Sequence, residues 1–444
     1  MTRGRRLLPA AGLGVALVAL TCASALVHLT QGEPYPRLLR FLAVLALASL
    51  VYGGALALLL PARGRAALVL VVAVAVALRI VPMATTPFLS TDAYRYVWDG
   101  MVQRAGINPY RFVPADPSLA SMRDAAVFPM INRPEYAPTI YPPGAQLVFA
   151  AVARLSPSLL AMKAAMLLAE AVAGVAMVLL LRRAGMAEGR LAIYAWNPLF
   201  AWEYAGNGHV DALALALIGI ALLAAATRRP GWSGIALAGA VLTKFVPAVL
   251  APALWRPRDP ASKWRLPVAA VATVALAYLP YLSVGPKVFG FLGGYAGEEG
   301  LASGDGLYPL QLLRLFAPLP PWAGVVWLAV SAVALASVGL WIAASPRPAS
   351  DIAGLGRDAL LMAVLATLAT SPHYGWYYGW LAYLCCLAPW PSVIFLTIAC
   401  LACYVDHSHT NFGWATTVTA AFAVLAVRDL WRAASPRAAF ARSI

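Results

Sequence analysis

The 444-residue chain is 62% hydrophobic and only 11% charged, and its net charge is +15. Soluble domains are about 45–50% apolar and about 25% charged, so this composition excludes a soluble protein of two or three domains. Apolar runs close to the ~20 residues that cross a bilayer recur along the chain, and the mean hydropathy is +0.75. These features predict an all-α protein that crosses a lipid bilayer many times.

The basic residues are distributed in a way that argues against a nucleic-acid partner. A basic patch is the electrostatic footprint of nucleic-acid binding. Here Arg and Lys lie instead in short segments between apolar runs, as at 182–190, 227–231 and 255–265. Short cytoplasmic loops of membrane proteins retain Lys and Arg. The positions of the basic residues therefore predict which loops lie on the cytoplasmic side of the membrane.

Residues 1–29 combine a basic start, an apolar run and small residues at 23–25, as in a secretory signal peptide. The apolar run, 7–29, is longer than the ~7–15 apolar residues of a signal peptide. We therefore expect a retained first span.

The apolar runs predict one transmembrane domain over residues 1–444, with about 11–13 spans. If the N-terminus is cytoplasmic, three spans precede a long first loop, 84–142, and place it at the outer face. A second long loop, 284–321, and the segment 406–411 fall at the same face.

Two apolar stretches do not fit simple crossings in this topology. The basic loops remain inside only if 143–155 and 159–181 make one net crossing, and if 232–254 is broken or re-entrant. The last stretch contains Lys244 and Pro247. Irregular backbone at membrane depth is tolerated where it is buried or lines a cavity.

The first loop opens with a predicted amphipathic helix that begins near Asp92. On a helical wheel, four polar or aromatic residues lie within about 60° of Asp92, namely Arg95, Tyr96, Asp99 and Gln103. The opposite side carries Tyr94, Val97, Trp98, Met101 and Ala105. Such a helix suits the membrane interface, and its polar stripe would then face a cavity that the loop roofs.

Asp92 has three interpretations. It is a suitable helix N-cap, although Ser90 and Thr91 also suit that position. A carboxylate at a membrane surface also suits a general base that accepts a proton from a substrate hydroxyl, and Arg95 lies one turn away as an opposite charge. With Asp99 on the same face, a two-carboxylate site for a divalent metal is a third interpretation.

Four blocks of sequence resemble the GT-C glycosyltransferases. Within that class they are most similar to glycosyltransferase family 87 and the related bacterial mannosyltransferases. In chain order they are 92–110 with Tyr-Pro-Pro at 141–143, Trp-Asn-Pro at 196–198 with 206–211, Leu-Thr-Lys-Phe at 242–245, and 371–378. One departure is the pair of additional spans before the first loop.

The resemblance implies a GT-C-like fold and a hexosyltransferase in the inner membrane of a bacterium, with its active site at the periplasmic face. Such enzymes move a sugar, here mannose or another hexose, from a polyprenyl-phosphate donor to a lipid or glycan acceptor with inversion. An acidic residue of the first loop is the general base, which by motif is Asp92. No cofactor is implied, and a divalent metal remains open.

The leaving phosphate needs cations or hydrogen-bond donors. The candidates are Lys244, His373, His209 and Tyr377. Ionisable residues inside apolar runs are functional by default, which favours Lys244, whereas His373 also suits an aromatic belt at the interface. Further candidates for substrate contact are Arg95, Asp99, Tyr141, Asn207 and Asp211, and Asp211 equally suits a helix N-terminus.

Two other classes of function remain open at this stage. A transporter or flippase for a glycolipid would use the first loop as a lid and would carry charged residues deep in its spans, such as Lys244 and Glu170. A structural membrane protein without enzymatic activity would tolerate changes at Asp92, Lys244 and His373 together.

Overall fold

The computed structural model describes residues 3–434 except 32, 256–261, 346–347, 349 and 406–412. Within these ranges the chain is helical and has no β-strand, which confirms the all-α fold. The predicted outer segment 406–411, residues 256–261 of the basic loop 255–265 and residues 435–444 lie outside the described residues.

The helices of the N-terminal half are α1 (Arg3–Leu29), α2 (Pro34–Leu59), α3 (Arg65–Ala84), α4 (Asp92–Arg104), α5 (Pro143–Leu155), α6 (Leu159–Arg183), α7 (Ala192–Ala195), α8 (Pro198–Phe200), α9 (Asp211–Ala226) and α10 (Pro230–Val241). Those of the C-terminal half are α11 (Ala251–Leu254), α12 (Arg265–Tyr278), α13 (Leu292–Glu298), α14 (Tyr308–Arg314), α15 (Ala323–Ala344), α16 (Ile352–Thr370), α17 (Gly379–Cys385), α18 (Pro391–Ala399), α19 (Ala402–Val405) and α20 (Gly413–Ala434). The short 3₁₀ segments are Pro117–Met122, Phe128–Met130, Glu188–Leu191, Val246–Leu250, Ser262–Trp264, Leu279–Phe289 and Gly375–Tyr378, and Ala201–Gly206 is a π-helix.

Among the described residues, seven helical segments are long and apolar enough to cross a membrane. An eighth candidate is a bent pair, Pro198–Gly206 followed by Asp211–Ala226, whose two parts meet at 110°. The sequence predicted about 11–13 spans because hydropathy does not distinguish a straight helix from a broken one. Apolar helices such as Pro143–Leu155 are too short to cross alone.

The interruption predicted in 232–254 is present. α10 ends at Val241, the chain continues through a non-helical turn, and a 3₁₀ segment starts at Val246. Pro247 lies in this segment and cannot donate a backbone hydrogen bond. Lys244 therefore lies at a break between helices rather than on a helix facing lipid.

Three charged side chains inside the spans, those of Arg79, Lys163 and Glu170, have partners within the protein. Arg79 of α3 and Glu170 of α6 form a buried ion pair with an Nη2–Oε1 distance of 2.6 Å. Lys163 of α6 donates to the backbone carbonyls of Pro82, Met83 and Thr85 at the end of α3. These contacts join α3 to α6 and orient the start of the first loop.

α4 differs from the expected interfacial helix, because protein covers its apolar side as well as its polar side. Trp98 is 1% exposed, and its ring lies 5.6 Å from that of Phe128 in the first loop. Tyr96 stacks on Phe149 of α5 at 4.6 Å. The rest of the first loop folds back over α4, so the helix is part of the protein core.

Candidate active site

A cavity of about 990 Å³ lies beneath the first loop. This volume is at the upper end of ligand pockets, which span ~300–1,000 Å³. Its polar and aromatic lining residues include Asp92, Asp211, Lys244, Glu298, Glu299, Trp376 and Tyr377, and its aliphatic lining residues include Ala214, Leu215, Ile218, Val246 and Pro247. The breaks in the helical spans, near 207–210, 242–245 and 371–374, bring polar side chains to this cavity.

Asp92 is the first residue of α4, and its carboxylate lines the cavity. It accepts hydrogen bonds from Asn132 Nδ2 at 2.9 Å and from Tyr141 Oη at 3.2 Å. The side chain is 20% exposed. It makes no N-cap hydrogen bond, because the N-cap residue is Thr91. Two residues of the first loop therefore hold Asp92 toward the cavity.

Asn207 holds the start of the first loop through hydrogen bonds to its backbone. Its Oδ1 accepts from the backbone N–H groups of Phe88 at 2.9 Å and Leu89 at 3.2 Å, just before α4. Asn207 is 1% exposed and does not line the cavity. The residue predicted to contact substrate thus holds the segment that leads to Asp92.

Lys244 and Asp211 form an ion pair on the cavity wall. Lys244 Nζ lies 2.8 Å from Asp211 Oδ1 and 3.8 Å from the centroid of the Tyr377 ring. The Tyr377 hydroxyl lies 3.0 Å from that of Tyr295. All four side chains line the cavity. A cation and two hydroxyl groups are therefore available on one wall.

Arg95 and Asp99 are residues of α4 and belong to a buried hydrogen-bonded network. Arg95 Nε lies 2.8 Å from Asp99 Oδ1, and Gln146 Nε2 donates to Asp99 Oδ2 at 2.8 Å. Arg95 also donates to the Ala137 carbonyl. Asp99 is 1% exposed, whereas Arg95 reaches the cavity lining. Asp92 and Asp99 have different partners, and no three His, Cys, Asp or Glu side chains of the described ranges are grouped as metal ligands.

His373 lies beside the cavity rather than in its lining. Its Nδ1 is 2.7 Å from Glu299 Oε2, and its Nε2 is 2.8 Å from the Gly306 carbonyl oxygen. Burial alone would lower the pKa of His373, but the hydrogen bond and the charge of Glu299 raise that pKa above its ordinary 6.5. The ion pair between the His373 imidazolium and Glu299 therefore connects the segment around Glu299 to the residues that follow α16.

We expect this contact to weaken as the pH rises. Because the folded-state pKa of His373 is raised, the stabilisation is fully present below pH 6.5 and is lost as the pH passes through the folded-state pKa. Hydrogen exchange of residues 292–306, corrected for its intrinsic pH dependence, should show less protection at pH 9 than at pH 6. In His373→Gln the difference should disappear, and an unchanged difference would contradict the assignment.

His209 lies behind Asp92 and does not line the cavity. Its Nδ1 is 4.0 Å from Asp92 Oδ2, and its ring stacks on that of Trp376 with centroids 4.0 Å apart. Of the four predicted phosphate ligands, Lys244 and Tyr377 line the cavity, whereas His209 and His373 do not.

Several residues of the site were not predicted. Asn132 holds Asp92, and at the cavity Arg133 pairs with Glu298 at 2.6 Å. Glu203 is fully buried next to His209. A carboxylate inside the apolar run 190–204 is the signal by which Glu203 is recognisable. Asn132 carries no comparable signal, because its contact with Asp92 joins residues 40 positions apart.

Fold and cavity together define a multi-pass membrane protein with a substrate-sized site that contains an oriented carboxylate. Residues 4–256 match the MptA_B family, described as alpha-(1->6)-mannopyranosyltransferase, N-terminal domain. Since the match covers more than half of the 444 residues, the chain belongs to this mannosyltransferase family. It is a membrane glycosyltransferase, as the resemblance to the GT-C enzymes implied.

The family match begins in the first turn of α1 and extends past Lys244. The two additional spans before the first loop are therefore part of the family's own pattern. No curated protein and no solved structure matches the chain. The cavity also takes residues that follow the matched segment, including Glu298 and Tyr377.

Proposed function

We propose that the protein transfers mannose from a polyprenyl-phosphate donor to a glycan or lipid acceptor, with inversion, and that Asp92 is the general base. The observation that carries this proposal is that the carboxylate of Asp92 and the ammonium group of Lys244 line one cavity. A base for the acceptor hydroxyl and a cation for the leaving phosphate are the two groups that the reaction requires.

In the proposed reaction the acceptor oxygen attacks the anomeric carbon and forms the new glycosidic bond. The bond between that carbon and the phosphate oxygen breaks on the opposite face, and polyprenyl phosphate leaves. Asp92 takes the hydroxyl proton. Lys244 and Tyr377 stabilise the phosphate charge, since charge-assisted hydrogen bonds are the strongest available to it.

The chemistry of the lining residues suggests which of them contact each substrate. Leu215, Ile218 and Val246 form an apolar surface that suits the first isoprene units of a lipid. Arg133, Tyr136 and Glu298 also line the cavity and form a hydrogen-bonded cluster, and such side chains suit the hydroxyl groups of a glycan. We place this site at the periplasmic face of the bacterial inner membrane, where the first loop falls if the N-terminus is cytoplasmic.

A donor comparison tests the proposal. The full-length protein, purified and reconstituted in liposomes, is supplied with a mannan oligosaccharide and with either polyprenyl-phosphate-[¹⁴C]mannose or a nucleotide-diphosphate [¹⁴C]mannose. Labelled oligosaccharide is expected from the polyprenyl donor alone. Transfer from the nucleotide donor in the absence of polyprenyl phosphate would contradict the proposed donor.

Lys244→Gln is expected to weaken donor binding. A hydrogen bond to a charged group contributes about 1.5–3 kcal/mol, so KM for the polyprenyl donor should rise about 10- to 100-fold. Lys287→Gln is the matched control, because Lys287 is exposed and lies outside the cavity lining. Equal donor KM values for both variants and the wild type would argue against a phosphate contact.

The alternative of a glycolipid transporter relied on charged residues deep in the spans. Glu170 pairs with Arg79, and Lys244 pairs with Asp211, so these charges have structural partners. Counterflow of labelled donor in liposomes without any covalent product would favour transport.

A further inference from the structure

A chain of polar groups extends from Asp92 away from the cavity into the protein interior. His209 Nδ1 lies 4.0 Å from Asp92 Oδ2, and His209 Nε2 lies 3.3 Å from Glu203 Oε2. His209 and Glu203 are both fully buried. Within the described part of the chain, neither ring nitrogen of His209 has a hydrogen-bond partner of good geometry. A buried imidazole thus lies between two carboxylates without being engaged by either.

The protein holds Glu203 firmly behind this imidazole. Asn207 Nδ2 donates to Glu203 Oε2 at 2.8 Å, and Tyr404 Oη donates to Glu203 Oε1. These two donors supply the hydrogen-bond partners that a buried carboxyl group requires. Trp376 stacks on the His209 ring and sets its plane. Each His209 nitrogen therefore faces one carboxylate.

This arrangement determines which tautomer of His209 can accept a proton from Asp92. Because Nε2 lies nearer to Glu203 than Nδ1 lies to Asp92, the Nε2–H tautomer directs its proton toward Glu203 and leaves the lone pair of Nδ1 toward Asp92. A base in an enclosed site must lose its new proton before the next turnover. While bound substrates fill the cavity in front of Asp92, the nearest acceptor for its proton is Nδ1, and apo distances of this kind shorten in reactive complexes.

We propose that His209 is the relay residue that takes the proton from Asp92. The proposal rests on the proposed function, in which Asp92 is the base. The acceptor hydroxyl loses its proton to Asp92 as the glycosidic bond forms and polyprenyl phosphate leaves. The proton then moves from Asp92 to Nδ1, Glu203 stabilises the imidazolium, and the proton returns through Asp92 to water when the products leave.

Other charged and titratable groups near His209 have partners of their own. Lys163, whose side chain approaches Gly208, donates to three carbonyls at the end of α3. Asp211 pairs with Lys244, and Tyr404 donates to Glu203. Asp92 and Glu203 are therefore the groups positioned to exchange a proton with His209.

His209→Gln tests the relay, because its amide can still donate to Glu203 but has no proton acceptor toward Asp92. We expect kcat at pH 7 to fall about 10- to 100-fold, at or below the lower end of general-base effects, with donor KM unchanged. The loss should shrink as the pH rises, since solvent then removes the proton from Asp92 more readily. In His209→Ala, added imidazole should restore part of kcat.

The controls separate a relay from a structural role. His28→Gln is the matched control: His28 does not line the cavity, and its ring packs on an aromatic ring, that of Phe88, as His209 packs on Trp376. This variant should keep wild-type kcat. A folded His209→Gln with wild-type kcat and pH profile overturns the relay. If His209→Gln does not fold, absence of imidazole rescue in a folded His209→Ala overturns it. An active Asp92→Asn instead overturns the proposed base.

Discussion

Asp92→Asn is expected to lower kcat for mannosyl transfer by about 10²- to 10⁴-fold, the range that a positioned general base contributes. The amide keeps the size of the carboxylate, and its single oxygen can still accept from one of the two residues that hold Asp92, Asn132 or Tyr141. It cannot take the proton of the acceptor hydroxyl. Donor KM should change little, since Lys244 and Tyr377 remain.

The measurement is single-turnover transfer from polyprenyl-phosphate-mannose in liposomes, at equal amounts of folded protein. Asp116→Asn is the matched control in the same loop. Asp116 lies outside the cavity lining and caps a short helix by accepting from the Ser118 backbone N–H, and asparagine also caps helices. Full activity of Asp92→Asn would remove the base assignment.

Glu170→Ala is expected to have the largest effect on stability. Removal of one partner from a buried ion pair leaves the other charge uncompensated and costs about 3–5 kcal/mol of unfolding free energy. Arg79 also donates to the Ala195 carbonyl, so its guanidinium cannot move to water without breaking contacts between spans. Thermal unfolding in detergent should show a clear fall in Tm.

The double variant Arg79→Met/Glu170→Met distinguishes charge from packing. Apolar side chains of similar volume often restore the stability lost with a single buried charge, so the double variant should be more stable than Glu170→Ala. Asp305→Ala breaks the exposed pair with Arg314 and should cost no more than about 1 kcal/mol. If Glu170→Ala is no less stable than Asp305→Ala, the pair does not hold α3 against α6.

Much of the fold and part of the site follow from the sequence alone. Span length and the distribution of Arg and Lys are properties of short stretches of sequence. They can therefore be read without the tertiary structure, and they identify an all-α membrane protein and separate the first loop from the spans. Lys244 was also recognisable, because an ionisable residue inside an apolar run has few structural alternatives. Asp92 was recognisable through the motif of the first loop, although its position at a helix start also suited an N-cap.

The partners of these residues were decided by tertiary structure. The helical wheel placed Arg95 and Asp99 beside Asp92, yet the fold over α4 buries both in a network with Gln146. The 110° bend between Gly206 and Asp211 moves His209 behind Asp92. Contacts such as Asp92 with Asn132 join positions far apart in the chain, and local periodicity carries no information about them.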